Sequence, residues 1–413
     1  MKAHAMRAPL VTVAVALACL PTRPVLAQEN GVPDLAALSK IDVHGFVSEG
    51  GFVSTANDYI GASSRGSVEL FEAGVNFSTM LSNRLRMGLQ LFARNEGVVH
   101  EFSTRVDWAY LDYRLDPWLG LRLGVIKMPF GLYNEYTDID AARVPILMPQ
   151  SVYPLRNRDV LLSHTGVALY GNPRLGKTGE LEYQLWLGTL TIPRNALDLQ
   201  GATLDSVDTH YVAGAQLFWL PPVEGLRVGT TVLSASIDFN LTLDPASVMA
   251  LVMGGFVPAD YDGKLVVSQQ PTTLWVASAE LVRGDWLFAA EYSRWLKHQQ
   301  TDLPDILPAF DEDAERFYVL ASYRMFSWLE GCGYYSVSHV DAADRQGQDP
   351  RFMPSFLAFQ RDLAATLRFD VNDHWLWKIE AHFIDGTSEI PADLGPGTDR
   401  YWGLFLARTT LSF

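Results

Sequence analysis

The sequence predicts an all-β fold, a transmembrane antiparallel β-barrel of about sixteen strands, and three observations carry that prediction. Apolar and polar residues alternate along many short segments, which is the period of a strand whose two faces meet different solvents. Short and long connections alternate along the chain, as they do in membrane barrels. Hydrophobic residues make up 48% of the 413 residues, yet the mean hydropathy is only +0.05, so alternation spreads the apolar content out.

The clearest alternation follows a turn at residues 81–84. One face of the next strand is apolar and the other mostly polar: Leu85, Met87, Leu89, Leu91 and Ala93 against Arg86, Gly88, Gln90, Phe92 and Arg94. A membrane is crossed only by helices or closed barrels, so the apolar face is predicted to meet lipid. The same period predicts strands at 41–54, 71–79, 85–94, 109–115, 121–125, 165–171, 181–189, 211–219, 226–238, 273–283, 286–295, 317–325, 329–339, 363–369, 375–383 and 401–413.

Short and long connections alternate from one strand to the next. Short turns are predicted at 81–84, 116–120, 172–178, 221–225, 283–285, 326–328 and 371–373. Between them lie longer loops, including 127–164, 190–208, 240–271, 297–314 and 340–360. Membrane barrels have short periplasmic turns and longer external loops, so both termini are predicted on the periplasmic side. Tryptophans near the short turns suit an interfacial girdle, although tryptophan is also common in ordinary strands: Trp118, Trp219, Trp286, Trp328 and Trp375.

The first forty residues have the pattern of a secretion signal and a leader. Lys2 and Arg7 precede an apolar run over 8–20, and small residues near Ala27 suit cleavage. This pattern predicts a signal peptide over 1–27, a short periplasmic leader over 28–40 and a barrel over 41–413. Cleavage would remove Cys19 and leave Cys332 alone, so no internal disulfide is expected.

Composition and motifs argue against two classes of function. The net charge of −15 disfavours nucleic acid as a partner, because both would be anionic. Serine-hydrolase, zinc-protease and phosphate-loop signatures are missing from the sequence. We therefore expect no enzyme, no catalytic residues, no cofactor and no metal. The acidic segment 302–315 offers oxygen ligands for a Ca²⁺ ion bridging to lipopolysaccharide, but a solvated loop explains it more simply.

The third long loop, 127–164, carries opposed charges on a restrained backbone. Pro145, Pro149 and Pro154 fix φ, and the apolar stretch 144–149 disfavours full exposure to water. We predict an inward-folded third external loop that forms a charged pore constriction. The alternative is a solvated loop with ordinary charges. The constriction residues are predicted to be Lys127, Glu135, Asp138, Asp140, Arg143, Arg156 and Arg158.

Arginines on neighbouring strands add to this field. By strand parity Arg86, Arg94 and Arg122 point into the lumen, where guanidinium groups match carboxylate or phosphate. They form either a bare anion ladder or local pairs with Glu72, Asp112, Glu135 or Asp138 across the lumen. Both interpretations predict a transverse field across a narrow, water-filled pore.

The last strand resembles the C-terminal strand of bacterial outer-membrane barrels. Alternate residues face one side and the sequence ends on an aromatic: Tyr401, Gly403, Phe405, Ala407, Thr409, Leu411 and Phe413. In such proteins the terminal Phe belongs to the signal read by the barrel-insertion machinery, so the resemblance gives Phe413 that role. An ordinary edge strand that ends in Phe is the alternative.

The strand count, Phe413 and the segment from Gly124 to Gly131 (GVIKMPFG) together resemble the family of phosphate-selective porins O and P. The resemblance implies an outer-membrane porin, a homotrimer, and passive diffusion of small hydrophilic, anionic solutes past basic lumen residues. Outer-membrane lipid and lipopolysaccharide would surround it. The acidic net charge and the short leader depart from the family. An outer-membrane barrel enzyme for lipid or peptide hydrolysis and a structural barrel with a blocked lumen are the alternatives.

Overall fold

The barrel closes on itself. The computed structural model describes residues 41–413 except 97–102, 156–157, 193–200, 305–306, 392–393 and 396, so the predicted signal peptide and leader lie outside the described residues. Every strand pairs antiparallel with its neighbours in sequence, and β1 pairs with β16. The predicted fold class and strand number are therefore confirmed. The strands are β1 (Asp42–Ser54), β2 (Leu70–Met80), β3 (Leu85–Glu96), β4 (Ser103–Asp116), β5 (Leu119–Lys127), β6 (Ser163–Gly171), β7 (Glu180–Thr189), β8 (Ala202–Leu220), β9 (Leu226–Leu243), β10 (Lys264–Arg283), β11 (Trp286–Thr301), β12 (Phe310–Phe326), β13 (Leu329–His339), β14 (Phe359–Asn372), β15 (Trp375–Gly386) and β16 (Tyr401–Ser412).

Among the described residues, helical structure lies only in the connections between strands. The α-helices are α1 (Arg158–Leu161) and α2 (Pro245–Met253), and 3-10 turns lie at 63–65, 134–136, 140–142, 176–178 and 355–358. Helix α2 begins after Asp244, whose side chain accepts from the Ser247 N–H at 2.6 Å. Within the described part of the chain, no helix is long and apolar enough to cross a membrane.

The outside of the barrel is apolar. On β3, Met87, Leu89 and Leu91 are exposed, and the residues between them are buried. Other strands expose apolar side chains at the same period: Leu111, Leu123, Val167, Leu187, Leu217, Phe288, Val319, Leu363 and Phe383. An outward apolar band on a membrane barrel faces lipid. Closure of the barrel lets the backbone groups of the described strands pair with their neighbours, which lipid requires. This surface is that of an outer-membrane barrel, which agrees with the predicted location.

Three of the predicted long loops are shorter than expected, because the strands beside them continue. Strand β8 begins at Ala202, β9 ends at Leu243 and β10 begins at Lys264. Strand β11 ends at Thr301 and β12 begins at Phe310. The prediction of loops at 190–208, 240–271 and 297–314 is therefore wrong for residues 202–208, 240–243, 264–271, 297–301 and 310–314, which lie in strands. The upper ends of β8–β12 form a raised wall, made of residues 202–212, 233–243, 264–274, 295–301 and 310–316.

The amphipathic pattern inverts in this raised wall. Along β9 the inward residues become apolar and mostly buried: Leu233, Ala235, Ile237, Phe239 and Leu241. The residues between them are polar: Ser234, Ser236, Asp238 and Asn240. Water rather than lipid bathes the outer face above a membrane, so polar residues belong outside there. The acidic segment belongs partly to this wall, since Asp311 and Asp313 lie in β12 and pair with His298 and Arg294.

The two ends of the described sheet meet at Phe413. Its N–H donates to Gly45 O at 3.0 Å, and the Gly45 N–H donates to Phe413 O at 3.1 Å. A Cβ atom on Gly45 would lie 2.6 Å from the Phe413 ring. The missing side chain at Gly45 therefore makes room for that ring where β1 and β16 close the barrel.

Candidate pore constriction

The connection between β5 and β6, residues 128–162, is called loop 3 below. It forms hydrogen bonds with strands that are distant from β5 and β6 in the sheet. The Leu132 N–H donates to Glu291 Oε1 on β11 at 2.9 Å. The Ile146 and Leu147 N–H groups donate to the two carboxylate oxygens of Glu380 on β15, at 2.7 and 2.8 Å. Strands β5 and β6 flank loop 3, so these bonds tie it to distant parts of the sheet.

Apolar packing holds loop 3 to the same strands. Phe130, Met148 and Val152 are buried in one cluster with inward residues of the sheet, among them Trp295 and Tyr318. The Phe130 and Trp295 rings meet edge to face, with centroids 6.5 Å apart. Burying a side chain of this size contributes about 1.5–3 kcal/mol. Apolar side chains of loop 3 therefore share a buried cluster with side chains of the sheet.

Glu291 is the anchor beneath Gly131. Its carboxylate accepts from Ser278 Oγ at 2.5 Å, from Tyr318 OH at 2.8 Å and from Tyr153 OH. Gly131 has a φ of +61°, and a Cβ there would lie 2.6 Å from Tyr153 OH. Only glycine suits both the backbone angle and the space at this point. The Pro129-Phe130-Gly131 turn is thus set by contacts inside the barrel.

Glu380 is the anchor beneath residues 146–147. Besides the two backbone donors, Thr366 Oγ1 donates to it at 2.6 Å, and His382 Nε2 lies 3.0 Å from it. His382 Nδ1 lies 3.0 Å from Asp362. Because carboxylates hold both ring nitrogens, this histidine bridges two strands and is poorly placed to act as a general base.

The first charge cluster surrounds Asp138. Arg158 Nη2 and Lys127 Nζ both lie 2.5 Å from its carboxylate, and Lys127 also lies 2.6 Å from Asp107. Burial alone would raise the pKa of Asp138, but Arg158 and Lys127 outweigh burial and hold it well below its usual range. Asp138 is therefore ionised inside the barrel at neutral pH.

The second cluster surrounds Asp140. Lys378 Nζ lies 3.0 Å and Arg408 Nη1 3.8 Å from its carboxylate, and Thr410 Oγ1 donates to it at 2.7 Å. Burial opposes ionisation of Asp140, but Lys378 and Arg408 lower its pKa below the usual value. Arg408 also lies 2.5 Å from Glu72 on β2. This cluster joins loop 3 to β2, β15 and β16.

The third cluster surrounds Arg122. Its Nε donates to Asp112 at 3.1 Å, and Tyr170 OH donates to the same carboxylate. Glu135 faces this cluster from loop 3. Burial raises the pKa of Glu135, and the attraction of Arg122 and Lys127 only partly offsets that rise.

Seven charged side chains line a small cavity beside loop 3, called the narrow cavity below, which has a volume of about 20 Å³: Glu72, Arg94, Glu96, Asp138, Arg143, Arg158 and Arg408. One side is loop 3 and the other is the inward face of β2, β3 and β16. A space of this size holds about one water molecule. It shares Thr137, Arg143 and Met148 with an apolar cavity of about 370 Å³. That cavity in turn shares Leu132 and Tyr136 with a polar cavity of about 310 Å³, which Arg122 and Glu135 line.

The predicted site residues therefore fall into separate groups. Asp138, Arg143, Arg158 and Arg94 line the narrow cavity. Lys127 and Asp140 pair with side chains around it. Glu135 and Arg122 line the polar cavity instead, and Arg86 is exposed on β3. Arg156 lies outside the described residues.

Of the partners of these residues, the sequence indicated Glu72 as an acid that could pair with the lumen arginines, but it missed the others. Glu96 and Arg408 line the narrow cavity with Glu72, and Lys378 and Glu380 anchor loop 3. The alternation along β2, β15 and β16 indicates that these charged side chains point inward. It does not indicate which of them contact a loop that is distant in sequence.

The comparisons with known proteins support the fold. No protein-family model matches the sequence, and no curated protein matches it. Solved structures do match the fold. OmpT of Vibrio cholerae, expressed in the outer membrane, has a TM-score of 0.56 at 11% identity, over 90% of this chain and 97% of that one. An anion-selective porin from Comamonas acidovorans has a TM-score of 0.56 at 10% identity, over 91% and 99%. The outer-membrane channel DcaP of Acinetobacter baumannii has a TM-score of 0.52 at 13% identity, over 90% and 97%. These likenesses establish an outer-membrane porin fold, and the resemblance to phosphate-selective porins O and P stays a prediction.

Proposed function

We propose that this chain is an outer-membrane porin that lets small hydrophilic solutes diffuse passively through the narrow charged cavity beside loop 3. The observation that carries the proposal is the position of that cavity. It lies between loop 3 and the β2–β3–β16 wall and adjoins the larger cavity lined by Thr137 and Arg143. Sixteen-stranded barrels are wide enough to leave an aqueous channel, so the inward loop would set the size limit.

The cavity charges favour anions. Four arginines and three carboxylates line it, which leaves one net positive charge on its lining. A positive charge in a confined, water-filled space concentrates anions and repels cations. Phosphate selectivity would need arginines that are not already paired, and Arg158 and Arg408 are bound to Asp138 and Glu72. We therefore propose a modest preference for small anions in general.

The surroundings of the barrel belong to the same proposal. We infer cleavage of residues 1–27 as a signal peptide, and insertion guided by Phe413. We also infer a homotrimer embedded in outer-membrane lipid and lipopolysaccharide. One solved form of Vibrio cholerae OmpT with this fold is a trimer. Crosslinking of the detergent-solubilised protein should yield trimers, and monomers alone would overturn this part.

A structural barrel with a blocked lumen is the second candidate, and the 20 Å³ volume of the narrow cavity favours it. A barrel enzyme is the third candidate. Carboxylates bind both nitrogens of the buried His382, so this histidine is poorly placed to serve it as a general base. Single-channel recording in planar bilayers decides between pore and block. The porin predicts small, uniform current steps and a reversal potential of anionic sign in a salt gradient. A silent bilayer containing folded protein would favour the blocked barrel.

A further inference from the structure

The raised wall borders a further cavity, separate from the three cavities described above. It has a volume of about 330 Å³ and lies on the inward faces of β8–β11, against Met128 and Leu161 of loop 3. Volumes of this size, with mostly apolar walls and a few polar groups, are typical of small-molecule sites. The apolar walls of this cavity would suit the apolar body of a ligand better than they suit water.

The register of the strands gives the cavity one apolar side and one polar side. The lowest row across β9, β10 and β11 is apolar: Leu233, Leu274 and Trp295. The row above it is Ala235, Thr272 and Lys297, and the next is Ile237, Gln269 and Gln299. The β9 side is thus aliphatic at every level, while the β10–β11 side becomes polar above Trp295.

A shift in register on β10 keeps this pattern facing inward. Gln269 and Thr272 both pair with β11, and residues 270 and 271 between them drop out of the ladder. Strict alternation from Gln269 would instead have turned Thr272 and Leu274 toward the outside. Irregularities of this kind re-aim side chains in barrels.

The polar side carries little net charge. Lys297 Nζ lies 2.9 Å from Glu312 Oε1, so this cation already has an anionic partner. Gln269 Nε2 donates to Gln299 Oε1 at 3.3 Å, and both amides line the cavity. An ionised ligand would lose its hydration against aliphatic walls without gaining an unpaired counter-charge. The cavity therefore suits an uncharged solute.

We propose that this cavity binds small uncharged solutes with an apolar, ring-like body and one hydrogen-bonding end. The body would lie against Leu233, Ile237 and Trp295, and the polar end against Gln269 and Gln299. This inference names a solute class for the external mouth of the barrel. It rests on the proposed porin function only for the claim that the bound solute is cargo.

Calorimetric titration of the full barrel in lipid nanodiscs tests the site, with empty nanodiscs as the reference. The probe is benzamide, and its carboxylate analogue benzoate should bind roughly tenfold more weakly. Ala235→Phe fills the cavity and should weaken binding of the amide roughly tenfold or more. Val232→Phe is the matched control, because Val232 faces outward on the same strand and is exposed, and its affinity should match that of wild type.

Gln299→Leu keeps the cavity shape and removes one amide, so it should weaken binding even if Ala235→Phe fails to fold. Absence of saturable binding, tighter binding of the carboxylate, or unchanged affinity in Gln299→Leu would overturn the inference. Conductance is measured on the same preparations. A barrel that conducts but does not bind overturns this site alone, whereas one that binds without conducting supports the site and overturns the porin function.

Discussion

Removing the Glu380 carboxylate should free the middle of loop 3 while the barrel stays closed. In Glu380→Ala the Ile146 and Leu147 N–H groups lose their acceptors, which lie at 2.7 and 2.8 Å. Hydrogen bonds to charged groups contribute about 1.5–3 kcal/mol each, so the loss is about 3 kcal/mol at the lower bound. That free energy corresponds to roughly a hundredfold change in a local opening equilibrium.

Hydrogen exchange followed by mass spectrometry measures this opening directly. The peptide containing Ile146 and Leu147 should exchange roughly a hundredfold faster in Glu380→Ala than in wild type. Glu330→Ala is the matched control, since Glu330 is also an inward glutamate but bonds to Ser322 and Arg324 instead of loop 3. Equal exchange in the two variants, with both barrels resistant to unfolding on unheated gels, would refute the anchoring role of Glu380.

Three further predictions follow from the charge clusters and the barrel seam. Arg94→Gln removes one cation from the narrow cavity and should lower the anion-to-cation permeability ratio roughly fivefold, because one charge at ~8 Å in water shifts the anion and cation energies by about 0.5 kcal/mol each, in opposite directions. Arg86→Gln, at an exposed position, should leave the reversal potential unchanged, and equal shifts in both would contradict the placement of Arg94. Arg158 and Lys127 depress the pKa of Asp138, so its stabilising contribution is complete above the unfolded value of about 3.9 and disappears as pH falls through the lower folded value. The contribution of Asp138 to loop 3 exchange, measured as the difference between wild type and Asp138→Asn, should therefore be constant from about pH 5 to 8, and a loss of that difference near pH 6 would contradict the pairing. Phe413→Ala should reduce the amount of heat-modifiable barrel in cells, because it removes the ring at Gly45 and the proposed insertion signal. An amount of folded barrel equal to that of wild type would show that Phe413 has no role in assembly.

The fold was predictable wherever lipid sits outside the sheet. On β3 the apolar face of Met87, Leu89 and Leu91 meets lipid and the opposite face meets the interior, so a period of two identifies the strand. All sixteen strands carry enough of this pattern to be found. The rule depends on a lipid exterior, and it fails where water replaces lipid.

The raised wall shows that failure. On β9 the apolar face passes from the outside to the inside between Val232 and Leu233, with no break in the strand. Register shifts between Leu204 and Ser206 and between Thr209 and Tyr211 also interrupt the period on β8. The sequence pattern therefore predicts loops in segments where the strands continue beyond the membrane into water.

The candidate site was only partly predictable for a different reason. Charge and proline content identified loop 3 and the residues Asp138, Arg143 and Arg158. Their partners Glu72, Glu96 and Arg408 are distant in sequence, and only the closed barrel brings them together. Arg86 and Arg94 lie on the same face of β3, but at different positions along the barrel axis. The alternation of residues along a strand does not indicate that position.

Modification of a cysteine placed in the narrow cavity tests the central claim most directly. Thr137 lines both that cavity and the adjoining apolar cavity, and cysteine is close to threonine in size. Ser64→Cys, at an exposed position away from the cavity, is the labelled control, and the native Cys332 is buried. A charged thiosulfonate reagent should reduce single-channel current through Thr137→Cys and leave wild type and Ser64→Cys unchanged. Complete labelling of Thr137→Cys with undiminished current would show that ions take another route and would contradict the account.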